Sequence, residues 1–257
     1  MNPFDVTGKT VVVTGARQGL GKVFAESFAR AGAEVFLMAR NVPALQAAAA
    51  EIAEKTGAAC HIHPIDVLDE NSVAAAADHV RTLAGRLDVL VNNAAVGRGR
   101  TPLQDATLEE WNLIMGTNST GTFLCMKHFG RLMIERKAGC IINLTSVAER
   151  VALQGTCTGA YDVSKAAIEC LTRCMAAEWA QYNIRVNSIS PGLFLTDINR
   201  GFVDEHPGFY NESRAKIPRG RWGDPQEIGA LAIFLASGAA DYITGADMHI
   251  DGGYALW

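Results

Sequence analysis

The sequence predicts an α/β chain of 257 residues folded as one doubly wound domain, a parallel sheet of about seven strands with helices on both faces. Three observations carry this. Short runs rich in β-branched residues alternate with segments of helical period from end to end, the pattern of repeated βαβ units. The composition is 49% hydrophobic but only 7% aromatic, with abundant alanine and glycine, which suits helices packed closely on a parallel sheet. The length lies within the range of single α/β units, and no repeat, low-complexity tract or linker divides residues 1–257.

The elements follow in order. The run TVVVT at 10–14 is the first strand, and a glycine-rich turn leads from it into a helix over 19–31. EVFLMA at 34–39 is the second strand, followed by a helix over 42–55; the third strand is expected at 59–65, with a helix over 71–84. VLVN at 89–92 is the fourth strand, ahead of one long helix over 108–137. The fifth strand spans 139–145, before a helix over 160–181; the sixth spans 184–190, before a helix over 225–235; the seventh spans 248–250. Residues 192–221 carry Pro207, Gly208, Pro218 and Gly220 and exceed ordinary loop length, so an irregular substrate lid is expected there.

The formal net charge of -4 provides no basic stripe, so nucleic acid is not an expected partner and a small molecule is. Cys60, Cys125, Cys140, Cys157, Cys170 and Cys174 form no CxxC pair and read as reduced cytosolic thiols, with Cys170 and Cys174 expected to pack inside. The six histidines lack ligand spacing, so no metal is expected. The start MNPFDVTGKT has neither a basic nor an apolar leader region, and no apolar run reaches membrane-spanning length; a soluble, cytoplasmic protein is the expectation.

Two sites of chemistry stand out. After the first strand, Thr14-Gly-Ala-Arg-Gln-Gly-Leu-Gly21 runs into a helix, where glycines admit a pyrophosphate close to the backbone and the helix amino terminus offers free N–H groups. The spacing is GxxxGxG rather than GxGxxG. The second strand ends in Ala39-Arg40, with alanine where a dinucleotide enzyme that binds the ribose 2′-hydroxyl places an acid and a cation next to it, which favours NADP(H); Arg17 is a second candidate phosphate contact. Further along, Tyr161 and Lys165 lie four apart in GAYDVSK, on one face of an expected helix. A fixed cation beside a phenol lowers its pKa and makes it competent for proton transfer near neutrality.

Taken in order, TGARQGLG (14–21), Asp66-Val67, NNAA (92–95), Asn118, Ser146 after INLT, YDVSK (161–165), and Pro191-Gly192 followed by Thr196 resemble the short-chain dehydrogenase/reductase family over nearly the whole chain. The resemblance implies a Rossmann-type domain and a catalytic tetrad of Asn118, Ser146, Tyr161 and Lys165. It implies a cofactor site drawn from Gly15, Arg17, Gln18, Gly19, Leu20, Gly21, Arg40, Asn41, Asp66, Val67, Asn93, Ala94, Pro191, Gly192 and Thr196, with Tyr161 and Lys165. In that scheme Asp66 lies near the adenine, Asn92 steadies the central strands and Thr196 lies near the nicotinamide carboxamide. Ser146 hydrogen-bonds the substrate oxygen, Tyr161 transfers the proton, and Lys165 holds the nicotinamide ribose. Asn118, within the long helix, frees a carbonyl for a relay water.

Two departures are visible. The family's NNAG is NNAA here, and Ser146 and Tyr161 are 15 residues apart rather than the family's 12 or 13. Segments 133–139, 171–187 and 219–228 look most like bacterial sugar-acid and polyol dehydrogenases, such as gluconate 5-dehydrogenase, and nearly as much like tropinone reductases. The expected substrate is therefore small and polar, met by Arg98, Arg150 and His206. A 3-oxoacyl-carrier-protein reductase and a catalytically silent nucleotide sensor are the alternatives, and a homo-oligomer, dimer or tetramer, is implied.

Overall fold

A computed structural model describes residues 2–97, 101–152, 159–196 and 200–256, the side chains of Phe202 and Pro207 excepted. Its centre is one parallel sheet of seven strands: β1 (Thr10–Thr14), β2 (Glu34–Ala39), β3 (His61–Pro64), β4 (Val89–Asn92), β5 (Gly139–Leu144), β6 (Ile184–Pro191) and β7 (Asp247–Ile250). The spatial order is β3-β2-β1-β4-β5-β6-β7. The order reverses between β1 and β4, and a crevice opens at the carboxyl ends of strands where such a reversal occurs.

Strand residues alternate between two cores, as period-2 side chains on a doubly covered sheet must. Val11, Val13, Val35, Leu37, Val89, Val91 and Ile142 face a core completed by Phe24, Phe28, Leu45, Ile52, Ile228 and Leu235. These come from α1 (Gly19–Arg30), α2 (Val42–Thr56) and α9 (Pro225–Ala236). Val12, Phe36, Met38, Leu90 and Ile141 face the opposite core, with Val73, Val80, Met126, Phe129 and Trp179. That side is built by α3 (Glu70–Ala84), α5 (Gly121–Arg136) and α6 (Gly159–Trp179). Each large apolar side chain fully buried in this way stabilises the fold by about 1.5–3 kcal/mol before entropy is counted.

The structure changes three expectations. The single helix over 108–137 is interrupted: α4 (Leu108–Met115) passes through a π-turn, Gly116–Thr120, into α5. Glycines bracket the turn because the chain over 67–68 lies against it; a methyl at Gly121 would fall 2.8 Å from Val67 Cγ2, and one at Gly116 2.9 Å from Leu68 Cδ2. Secondly, 192–221 is not irregular throughout. It holds α7 (Arg200–Glu205) and α8 (Pro207–Ala215), and Pro207 opens α8 rather than breaking a helix. Val203, Ile217 and Trp222 form a small core beneath them, where Trp222 Nε1 donates to Ser213 Oγ at 2.9 Å. Thirdly, Cys170 and Cys174 are exposed, because α6 buries the stripe Ala160, Ser164, Ile168, Thr172 and Ala176 instead. Among the described residues no helix is long and apolar enough to cross a membrane.

Candidate active site

The turns leaving β1, β4, β5 and β6 meet at the carboxyl edge of the sheet. In the glycine-rich turn Gly15 and Gly19 adopt positive φ, 67° and 59°. A methyl on Gly21 would stand 2.4 Å from the Gly15 carbonyl oxygen, so this helix start can lie so close to the turn only without a side chain. Thr14 ties the turn to NNAA: its hydroxyl accepts from the backbone N–H groups of Asn93 and Ala94, both at 3.0 Å. The Asn93 amide donates back to the Thr14 carbonyl at 2.9 Å. The result is a cavity of about 310 Å³ lined by Gly15, Arg17, Gln18 and Leu20 on one side and Ser146, Tyr161, Lys165, Pro191 and Gly192 on the other, with Asn93 and Ala95 between. The glycine cradle, the helix amino terminus and the absence of an acid at Ala39 fit a dinucleotide carrying a 2′-phosphate.

The tetrad residues are held by different means. Tyr161 and Lys165 share one face of α6, with the Lys165 Nζ 5.5 Å from the phenol ring centroid. Lys165 is 3% exposed, and its ammonium donates to the Leu144 carbonyl at 2.7 Å. Burial pulls its pKa down to about 8, while the charge of Glu149 works in the other direction. Asn118 lies in the π-turn, fully buried. Its side-chain oxygen accepts from Val96 N–H at 2.9 Å and its amide donates to Ser164 Oγ at 3.0 Å, while Ser164 Oγ donates to the Tyr161 carbonyl at 2.7 Å. Asn118 thus braces the first turn of α6. Its own carbonyl, expected to be freed for a water, accepts from the Thr122 hydroxyl at 2.7 Å, leaving one lone pair.

Ser146 caps a short 3₁₀ turn, Val147–Glu149, by accepting from Ala148 N–H at 3.2 Å. Glu149 completes a capping box, its Oε2 accepting from Ser146 N–H at 3.3 Å and from Ser190 Oγ at 2.9 Å. Behind it stands His249, with Nε2 3.7 Å from Glu149 Oε1 and 3.1 Å from Asp247 Oδ2. Asp247 Oδ1 in turn accepts from Thr145 and Ser188. The sequence reading passed over this group, although Ser146-x-x-Glu149 has capping-box spacing. Glu149, Asp247 and His249 each offer one ligand atom within 4.8 Å of the others, a convergence that no local spacing announces. A carboxylate oxygen of Asp247 and the imidazole already face one another there.

The remaining predicted residues are dispersed. Arg40 and Asn41 follow β2, both exposed. Asn41 commits its side-chain oxygen to capping α2, accepting from Ala44 N–H at 2.9 Å. Asp66 turns its carboxylate to Leu68 N–H at 3.0 Å, and Val67 packs against the π-turn. Gly19 and Thr196 line a cavity of about 690 Å³ between α1 and α9. Of the expected substrate residues, Arg98 lies outside the described residues, and Arg150 and His206 are exposed, neither lining the catalytic cavity.

A dinucleotide cradle joined to a Ser-Tyr-Lys cluster at the switch point of a parallel sheet defines a nicotinamide-dependent oxidoreductase, and the chain belongs to the short-chain dehydrogenase/reductase family. A family profile described as "Enoyl-(Acyl carrier protein) reductase" matches residues 15–255. The chain is 39% identical to the D-threitol dehydrogenase of Mycolicibacterium smegmatis, over 98% of this chain and 95% of that protein. It is 38% identical to galactitol 2-dehydrogenase (L-tagatose-forming) of Cereibacter sphaeroides, over 99% and 98%. Among solved structures, a gluconate 5-dehydrogenase from Burkholderia cenocepacia J2315 in complex with NADP and tartrate matches with a TM-score of 0.91 at 34% identity, covering 100% of this chain and 98% of that one.

Proposed function

We propose that this protein interconverts a secondary alcohol and a ketone on a small polyhydroxylated substrate, a polyol or sugar acid, with NADP(H) as cofactor. The observation that carries the proposal is the single cavity shared by the glycine turn and by Ser146, Tyr161 and Lys165. The relatives named above support the substrate class. When bound, the nicotinamide supplies or accepts the hydride. Ser146 hydrogen-bonds the substrate oxygen, and Tyr161 gives that oxygen its proton or removes it. Lys165 stabilises the developing phenolate and holds the nicotinamide ribose. Asn118 keeps the first turn of α6 in place. The helices over 200–215 form the lid above the substrate. Turnover with D-threitol, galactitol, gluconate and an acetoacetyl thioester tests the reading; activity confined to the thioester would replace it with a 3-oxoacyl reductase.

Arg40 is assigned to the 2′-phosphate of the cofactor. Arg40→Ala should weaken NADPH binding by about 10- to 100-fold, the worth of a charge-assisted arginine–phosphate contact of roughly 1.5–3 kcal/mol, and leave NADH binding nearly unchanged. Fluorescence titration with both cofactors checks this, and equal losses for the two would remove Arg40 from the phosphate site.

The assembly is proposed to be a homotetramer that pairs through α4, α5 and α6. Leu108, Leu113, Phe123 and Val163 are exposed on these helices, an apolar surface that a second copy would cover. Light scattering should return a mass of four chains; a monomer at micromolar concentration would refute the pairing.

A further inference from the structure

The Ser146–Glu149 turn places a carboxylate behind the catalytic cavity, engaged on three sides. Its Oε2 accepts from Ser190 Oγ at 2.9 Å and from Ser146 N–H at 3.3 Å, while its Oε1 faces His249 Nε2 at 3.7 Å. The side chain is only 7% exposed. The turn packs against α6, the helix that carries Tyr161 and Lys165. Simple closure of a 3₁₀ turn does not require a buried charge, since glutamine also completes a capping box and costs less to desolvate. The charge has a counterpart. Lys165 buries an ammonium with a single protein acceptor among the described residues, the Leu144 carbonyl. A buried cation with no nearby anion surrenders its proton.

We propose that Glu149 is a positioning residue for catalysis, fixing the turn that presents the Ser146 hydroxyl and serving as the anionic counter-charge to Lys165, with His249 and Asp247 holding it in orientation. The proposal rests on the assignment of Ser146 and Lys165 to catalysis. The titratable groups facing the carboxylate are Asp247 and His249 on β7, and β6 contributes the neutral Ser190. Lys165 reaches the same turn from α6, its ammonium on the carbonyl of Leu144, two residues before the Ser146 whose N–H the carboxylate accepts. Burial and the adjacent Asp247 push the Glu149 pKa up, while Ser190, His249 and Ser146 N–H pull it back. The Glu149 charge in turn raises the Lys165 pKa against the effect of its burial.

Glu149→Gln removes the charge but can still accept from Ser190 and from Ser146 N–H, so a residue that only shaped the turn would be replaced without consequence. With the charge gone, Lys165 should lose its proton at a pH lower by about one unit. Two readouts should move together. In the protein without cofactor, the rise of thermal stability that accompanies loss of the buried ammonium should begin about one pH unit lower than in wild type. In NADPH titrations, the alkaline loss of affinity should shift by the same amount. Coincident wild-type and Glu149→Gln curves in both experiments would overturn the proposal. A Tyr161→Phe variant run beside it separates the two readings: if that variant stays fully active, the catalytic assignment fails whatever Glu149 does. If it is inactive while the Glu149→Gln curves are unshifted, only the counter-charge fails. Glu149→Ala, which also removes the acceptor, should lower kcat by a further tenfold or more; if it does not fold, Glu149→Gln alone decides.

Discussion

Tyr161→Phe should fold as the wild type does, bind NADPH within a few fold of it, and turn over substrate about 10²- to 10⁴-fold more slowly, the usual worth of a positioned general acid or base. The ring remains on α6 beside Lys165, so packing and the cofactor surface survive and only the phenolic hydroxyl is lost. The loss should fall on kcat and kcat/KM together, since the proton moves in the transition state. Steady-state kinetics with a polyol substrate and fluorescence titration of NADPH measure the two halves separately. A variant with wild-type kcat would remove Tyr161 from the chemistry.

Lys165→Met should also abolish turnover, yet make the cofactor-free protein more stable at neutral pH. The wild-type ammonium is 3% exposed, and its pKa falls from 10.5 to about 8 on burial. The unfolded chain therefore holds this proton more firmly than the native state, so between about pH 8 and pH 10.5 stability rises with pH. Below that window the buried charge costs about 3 kcal/mol, at roughly 1.4 kcal/mol per pKa unit. Methionine fills similar space without the charge. Thermal unfolding at pH 7 should show the variant several degrees more stable, and the difference should shrink as pH approaches 10.5. Equal melting temperatures at pH 7 would mean that the ammonium is already compensated in the apo protein and that no stability is sacrificed to function at this position.

Local pattern explains what could be read before the fold was seen. TVVVT, EVFLMA and VLVN are strands because β-branched and apolar runs of that length are buried on both faces, and β1, β2 and β4 appear with the expected bounds. The Tyr161–Lys165 pair was legible for a similar reason: a separation of four on a helix fixes two side chains on one face. The π-turn was not legible, because it depends on how closely the chain at 67–68 approaches Gly116 and Gly121. Apolarity alone would place Cys170 and Cys174 inside, but both are exposed. The buried stripe of α6 includes Ser164, Lys165 and Thr172, whose polar atoms find partners on neighbouring elements or one turn back along the helix. The Cys side chains lie on the other face.

By itself, then, the sequence determined the seven strands, the glycine turn and the tyrosine–lysine pair, since periodicity and covalent spacing act over a few residues, while Ser146 stood out only through the family resemblance. Only the tertiary structure decided how Glu149, Asp247 and His249 converge behind Ser146. These residues come from segments far apart in the chain, and they meet because parallel pairing sets Asp247 and His249 of β7 beside Ser188 and Ser190 at the carboxyl end of β6, itself paired with β5. No local propensity encodes such an alignment; the register of the sheet does.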